Sequence, residues 1–105
     1  MSSKPETLVV SKMMDRLNAE GGWWTKIHGG PFQQAGIPDI LGCYTGLFIA
    51  VEVKIPGNGP SGIQKHVLNL LHAAGARCGV AFTVEEALMI RDGELNWGQQ
   101  KLNWG

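Results

Sequence analysis

The stretch GIPDILGCYTGLFIAVEVK, from Gly36 to Lys54, decides the fold. Two apolar runs, each typical of a buried strand, flank Thr45-Gly46, a pair that is typical of a tight hairpin turn. Charged residues interrupt the apolar pattern at Asp39, Glu52 and Lys54. A charge that faces a protein core is costly unless it is paired or bound to a metal. These three residues are therefore the first candidates for a functional site.

Counting outward from Thr45-Gly46 as the two turn residues predicts the register of the hairpin. Asp39 then lies directly opposite Glu52, on the same face of the sheet. Glu52 and Lys54 are two residues apart in one strand, so they share that face as well. A shift of the register by one residue would move Asp39 to the other face. We therefore expect all three charges on one side of the hairpin.

Two adjacent carboxylates repel, and one takes up a proton unless a cation lies between them. Magnesium is typically held by one or two carboxylates and water. Lys54 can neutralise charge that develops on a phosphate, and a metal-activated water is a suitable nucleophile. The set thus fits hydrolysis of a phosphodiester. The structural alternative is a Glu52–Lys54 ion pair with Asp39 as a cap.

The remaining chain predicts an α/β order of helix, strand, strand, strand, helix, strand and a short C-terminal helix, which favours a mixed sheet. The first helix, about 5–20, is expected to be capped by Ser2 or Ser3. Its core-facing stripe runs back toward Glu6 from three apolar residues, Val10, Met13 and Leu17. The apolar face of the second helix is expected to contain Ile63, Val67, Leu70, Leu71 and Ala74.

Capping boxes are predicted at Ser61 with Gln64 and at Thr83 with Glu86. The tail, 91–105, repeats the motif LNWG at a spacing of seven, and its tryptophans are expected to pack on this domain or on a partner. We expect one domain over 1–105, with a core over about 5–90.

The composition argues against several classes of protein. The 105 residues carry no net charge with histidine neutral, unlike a strongly basic nucleic-acid coat protein. Both cysteines, Cys43 and Cys78, lie in apolar runs and are expected to be buried free thiols in a reducing compartment. No run approaches the roughly 18 apolar residues of a membrane span, and the N-terminus lacks signal-peptide features. We expect a cytoplasmic protein with no membrane contact.

GIPDI followed by VEVK resembles the PD-(D/E)xK nuclease superfamily. The longer pattern KIHGG…QAGIPDILGCYTGLFIAVEVKIPGNGPSGIQ resembles a stand-alone virus-type replication-repair nuclease (VRR-NUC) domain, over about 6–86. The resemblance implies a restriction-endonuclease-like core of mixed α/β class. It also implies a viral or phage-type enzyme of DNA repair or recombination, acting in the host cell if the source is viral.

The resemblance assigns roles to residues of the central hairpin and of the first helix. Asp39 and Glu52 match the metal-binding carboxylates, and the backbone carbonyl of Val53 completes the ligand set. Lys54 matches the catalytic lysine. Glu6 matches the acidic residue of the first helix, which acts as a metal ligand directly or through water.

Gln64 matches a glutamine that lies beside the active site at the start of the second core helix, and this role is compatible with its capping box. The chain has PSGIQ where relatives often have threonine and proline, which leaves the direction of this glutamine open. Lys26, His28 and Lys65 are expected to contact DNA.

The function implied is a Mg²⁺-dependent DNA endonuclease, in which Mn²⁺ substitutes. We expect a homodimer that resolves four-way (Holliday) junctions. The alternatives are a monomeric flap or nicking endonuclease, and a non-catalytic DNA-binding or assembly module that keeps the fold.

Overall fold

The computed structural model describes residues 5–104. The strands are β1 (Trp23–Lys26), β2 (Ile40–Tyr44), β3 (Leu47–Val53) and β4 (Arg77–Ala81). The helices are α1 (Pro5–Ala19), α2 (Gly62–Ala73), α3 (Val84–Asp92) and α4 (Trp97–Gln100), and a 3-10 helix follows over Lys101–Trp104. The predicted order of elements is confirmed through α3, whereas α4 and the 3-10 helix were not predicted. Ser2 and Ser3 lie outside the described residues. Within 5–104, no helix is both long and apolar enough to cross a bilayer.

The four strands form one sheet in the order β1-β2-β3-β4. β1 pairs antiparallel with β2, and β2 pairs antiparallel with β3, whereas β3 and β4 are parallel. The parallel pair requires a crossover connection, which α2 provides. The expected mixed α/β class is therefore confirmed.

The turn between β2 and β3 sets the register that the sequence predicts. Thr45 has φ of 50° and Gly46 has φ of 81°. Two successive residues with positive φ form a type I′ turn, whose twist matches that of the strands. Tyr44 then pairs with Leu47, and the ladder continues to the pair of Ile40 and Val51. The next position outward places Asp39 opposite Glu52.

Helices cover both faces of the sheet. On one face, α1 and α3 enclose a core that includes Val10, Met13, Leu17, Ile49, Val51, Val53, Ala87 and Ile90. On the other face, α2 and α4 enclose Ala50, Leu68, Cys78, Val80 and Trp97. Because side chains alternate along β3, Glu52 lies on the α2 face, although Val51 and Val53 flank it.

The predicted apolar face of α2 is wrong in part. Val67 is buried as expected, but Leu68 is buried as well, and Ile63 and Leu70 are 48% and 57% exposed. α2 packs against Trp97 of the tail as well as against the sheet, which rotates its buried side toward Leu68. A periodicity count for α2 alone could not include that second partner.

Cys43 is exposed, so its expected burial is also wrong, whereas Cys78 is buried as expected. Cys43 pairs with Trp23 in β1 and with Phe48 in β3. Both neighbours are large and exposed, by 65% and 45% respectively. This row of three residues lies on the α2 face of the sheet beyond the region that α2 covers.

The two predicted caps differ in detail. Ser61 and Gln64 form a full capping box, in which each side chain accepts a hydrogen bond from the other residue's backbone N–H. Thr83 accepts a hydrogen bond from the N–H of Glu86, but the Glu86 side chain accepts from the N–H of Phe82 and not from Thr83. Only half of the second box is therefore formed.

The tail packs on this domain, as one of the two expectations had it. The rings of Trp97 and Trp104 stack at 6.0 Å with an interplanar angle of 14°. Seven residues correspond to about two helical turns, so the LNWG repeat brings its two tryptophans to the same side. Gln100 accepts a hydrogen bond from the N–H of Val80 and donates one to its carbonyl, both at 2.7 Å.

The turn generates a prediction about stability. Thr45 is β-branched and has positive φ, a conformation that asparagine adopts more readily. We expect Thr45→Asn to raise the free energy of unfolding by about 1 kcal/mol and the melting temperature by a few degrees. Thr45→Val, which keeps the branch, is the control and should give no gain. A lower melting temperature for Thr45→Asn in thermal denaturation would contradict the assigned turn.

Candidate active site

The end of β3 holds a carboxylate that is almost fully buried. Glu52 is 1% exposed, and Lys54 follows it two residues later, just after the end of β3. The Nζ atom of Lys54 lies 3.4 Å from Oε2 of Glu52. Among the described residues, Oε1 of Glu52 has no hydrogen-bond partner. A buried polar atom without a partner is costly, so this orphan oxygen needs an explanation.

Asp39 joins three strands at the same place. Its backbone carbonyl accepts a hydrogen bond from the N–H of Ile27, at 2.8 Å, and so extends the β1–β2 pairing. Its side-chain Oδ2 accepts from the N–H of Val53 at 2.7 Å. The N–H and C=O of one strand residue point to the same side, so the carbonyl of Val53 also points toward β2. The structure therefore brings Asp39, the Val53 backbone and Glu52 together.

Electrostatics at the pair is unfavourable for charge. Burial and, to a smaller extent, the neighbouring Asp39 carboxylate raise the pKa of Glu52 to about 8, against the opposing effect of Lys54. The repulsion that the sequence predicts for two adjacent carboxylates is thus present. Glu52 takes up a proton near neutral pH when no added cation is bound.

The loop before Asp39 is held against α2 by a glycine. Gly36 has φ of +84°, and a Cβ atom there would lie 2.8 Å from the carbonyl oxygen of Ile63 and 2.9 Å from Val67. Only glycine combines this conformation with so close an approach. The loop consequently packs on the first turns of α2, which fixes the start of the strand that carries Asp39.

Glu6, Lys26 and His28 lie together, but on the α1 side of the sheet. With Thr7 they line a cavity of about 300 Å³ that Asp39 also reaches. Glu6 does not join the carboxylate pair, since no three acidic, histidine or cysteine side chains within 5–104 converge as a metal-binding group. Glu6 and Asp39 thus border one cavity, and the role of Glu6 toward a metal stays a prediction.

This arrangement of strands and helices matches a known fold. A solved structure described as "VRR_NUC domain" has a TM-score of 0.72 to this chain at 22% sequence identity. The superposition covers 89% of this chain and 100% of the other. The chain has the fold of a VRR_NUC domain. No family model matches the sequence, and no curated protein matches it either.

Gln64 and Lys65, in the first turn of α2, make hydrogen bonds with Ser61 and with the tail. Oε1 of Gln64 accepts a hydrogen bond from the N–H of Ser61, which leaves its amide nitrogen free to donate to another group. Nζ of Lys65 donates to the carbonyl of Trp104 at 3.1 Å. Lys65 therefore faces the tail, and the predicted role of Gln64 beside the active site stays a prediction.

A second cavity of about 300 Å³ borders Asp39 and contains residues that the sequence analysis missed. Gln33 and Gln34 line it together with the backbone of Gly29 and Gly30. The segment HGGPFQQAG carries no periodicity, so nothing in its pattern indicated that it lies beside Asp39. Its two amide side chains can donate hydrogen bonds to an anionic ligand.

The pKa of Glu52 predicts how stability depends on pH in this VRR_NUC fold. Glu52 keeps its proton up to about pH 8 when folded, whereas its ordinary value is 4.5. The folded state then binds more protons than the unfolded state between these values, so the free energy of unfolding falls as pH rises through that window.

We expect this loss to reach a few kcal/mol in the presence of a chelator. Glu52→Gln removes the titration and should be more stable than the wild type at pH 8 and similar at pH 4.5. Denaturant unfolding of both proteins across this range measures the difference. Parallel curves would mean that Glu52 does not hold a proton in the folded protein.

Proposed function

We propose that the protein is a magnesium-dependent DNA endonuclease. The observation that carries the proposal is the buried Glu52 carboxylate, which lies beside Asp39 and within 3.4 Å of Lys54 in a VRR_NUC fold. A lysine and two carboxylates converge there at the ends of two neighbouring strands. A purely structural ion pair would be expected to satisfy both oxygens of Glu52, and Oε1 remains without a partner among the described residues.

The donor set fits a hard divalent cation. Asp39, Glu52 and the carbonyl of Val53 offer only oxygen ligands, and magnesium prefers oxygen and retains several waters. Oε1 of Glu52, which has no hydrogen-bond partner among the described residues, is an oxygen that can bind such a cation. We propose these three groups as the ligands of Mg²⁺, with Mn²⁺ as a substitute, and Glu6 as a ligand through water.

Hydrolysis would need several residues of this site, each with a different role. Bound Mg²⁺ would supply Lewis-acid activation of the attacking water and neutralise phosphate charge. Lys54, whose side chain is 15% exposed, can reach the phosphate and stabilise negative charge in the transition state. Gln64 can donate its free amide hydrogen atoms to the substrate. Lys26 and His28 line the adjoining cavity and are proposed to bind the DNA backbone.

We further propose a four-way junction as the substrate and a homodimer as the active form. The absence of net charge favours recognition of shape over a short footprint rather than a long basic surface. A two-fold dimer presents two sites to a junction of approximate two-fold symmetry. Trp97 is buried within the chain and is not available to a second copy. The exposed row of Trp23, Cys43 and Phe48 supports a dimer interface.

The assignment of roles is tested by substitution at the site. We expect Asp39→Asn, Glu52→Gln and Lys54→Ala to lower DNA cleavage at least about a hundredfold, because each removes charge stabilisation or a ligand. Lys12→Ala is the matched control. Lys12 lies on α1 and shares a surface pocket with Asp15 and Glu85 and with none of the site residues. The Lys12→Ala variant should therefore cleave DNA like the wild type.

Metal binding gives a second readout that does not depend on activity. Magnesium at 100 times its dissociation constant should stabilise the wild type by about 2.7 kcal/mol, and this gain should shrink sharply in Asp39→Asn. Near wild-type cleavage by Asp39→Asn, or equal stabilisation of both proteins by Mg²⁺, would contradict the assignment of Asp39 as a metal ligand. Metal binding and DNA binding without cleavage by the wild type would favour the non-catalytic module.

The junction proposal has its own test. Light scattering across a concentration series should give a dimer, and cut sites mapped on all four strands of a labelled junction should form a symmetrical pair. Plain duplex should bind more weakly, because its shape does not engage both sites. A monomeric mass at active concentrations, with single unpaired nicks, would instead support the flap or nicking endonuclease.

A further inference from the structure

A second groove lies on the other side of α2 from the loop that carries Asp39. Its volume is about 530 Å³, within the usual range for ligand sites. Lys65, Asn69 and His72 of α2 line one wall, and Trp97, Lys101 and Leu102 of the tail line the other. Ile63 and Val67, which contact the Gly36 loop, lie about half a turn around α2 from this stripe. The groove is therefore separate from the carboxylate site.

The groove is cationic. Lys65 and Lys101 line it together with His72, and within 5–104 none of its lining residues is acidic. Nζ of Lys65 donates one hydrogen bond to the carbonyl of Trp104, and a lysine ammonium has further hydrogens to donate. Oδ1 of Asn69 accepts from Nε1 of Trp97, which turns the donor end of the amide away from that ring. The ammonium groups of Lys65 and Lys101 and the amide nitrogen of Asn69 are thus left as donors for a ligand.

The tail shapes this groove and links it to the candidate site. A Cβ atom at Gly98 would lie 2.7 Å from Nε2 of His72, so the glycine of the first LNWG motif makes room for the imidazole. A Cβ atom at Gly59 would lie 2.5 Å from Nε1 of Trp104. Gly59 belongs to the loop that leads from Lys54 to α2, so Trp104 contacts both this loop and the region of the groove.

We propose that this groove binds the phosphodiester backbone of a DNA strand, as a second contact apart from the carboxylate site. The proposal rests on the proposed function, since it assigns a path to the same substrate. Lysine ammonium groups and an imidazole match phosphate charge, and the apolar Ala73 and Leu102 can pack against deoxyribose. The loop containing Gly59 follows Lys54 in the chain, and Trp104, whose carbonyl accepts from Lys65, contacts it.

Salt dependence of binding tests the groove without cleavage. A fluorescently labelled four-way junction is titrated in chelator, at several salt concentrations, with the full-length wild type, Lys101→Gln and Lys12→Gln. Loss of one phosphate contact should reduce the slope of log K against log salt by about 0.9. We expect that reduction for Lys101→Gln and none for Lys12→Gln. A Lys65→Gln/Lys101→Gln double variant should lose about twice as much.

Lys65 also holds the tail, so the melting temperature of the double variant is measured alongside, and Lys101→Gln alone carries the decision. If the slope of log K against log salt is unchanged in Lys101→Gln, or is lowered equally in Lys12→Gln, the proposal that the groove binds DNA is wrong. If the wild type cleaves the junction in a separate assay with Mg²⁺ but the slope is unchanged in Lys101→Gln, the nuclease proposal stays intact and only the groove is removed. A lowered slope without any cleavage keeps the groove and overturns the nuclease proposal. No binding of DNA by the wild type overturns both.

Discussion

The buried carboxylate of Glu52 is the constraint on which the organisation of this sheet depends. It is 1% exposed, next to Asp39, and has an oxygen without a partner among the described residues. One lysine at 3.4 Å does not offset that burial, because a buried charge needs both good geometry and full hydrogen bonding. A hydrophobic residue at this position would be the more stable choice for a fold alone. The arrangement is explained if stability is exchanged for binding of a cation.

Asp39, the carboxylate next to Glu52, is held in place by hydrogen bonds to the backbone of two neighbouring strands. Its carbonyl extends the pairing with β1, and its carboxylate accepts from the backbone of β3, so one residue fixes where three strands end. The type I′ turn at one end of the hairpin and Gly36 at the other leave little freedom in its placement. A carboxylate that is held by backbone contacts is preorganised, which suits the proposed role of Asp39 as a metal ligand.

The sequence could predict the parts of this site that follow from local rules. A two-residue turn and the period-two alternation determine the register, and that alone places Asp39 opposite Glu52. The capping box at Ser61 and Gln64 is equally local. The buried side of α2, the exposure of Cys43 and the cavity shared by Glu6 and Asp39 each depend on which distant element packs where. Periodicity within one element contains no information about those partners.

The packing of the C-terminal tail against β4 is an example of such a contact between distant elements. β4 is an edge strand, and its unpaired backbone groups would be a template for another chain. The side chain of Gln100 satisfies both groups of Val80, and the Trp97–Trp104 stack holds the tail beside it. A second copy cannot add a strand at Val80 without displacing Gln100. Pairing of a second copy along this edge is thereby hindered at Val80, whereas the exposed row of Trp23, Cys43 and Phe48 begins on the other edge strand, β1, and runs across β2 to β3.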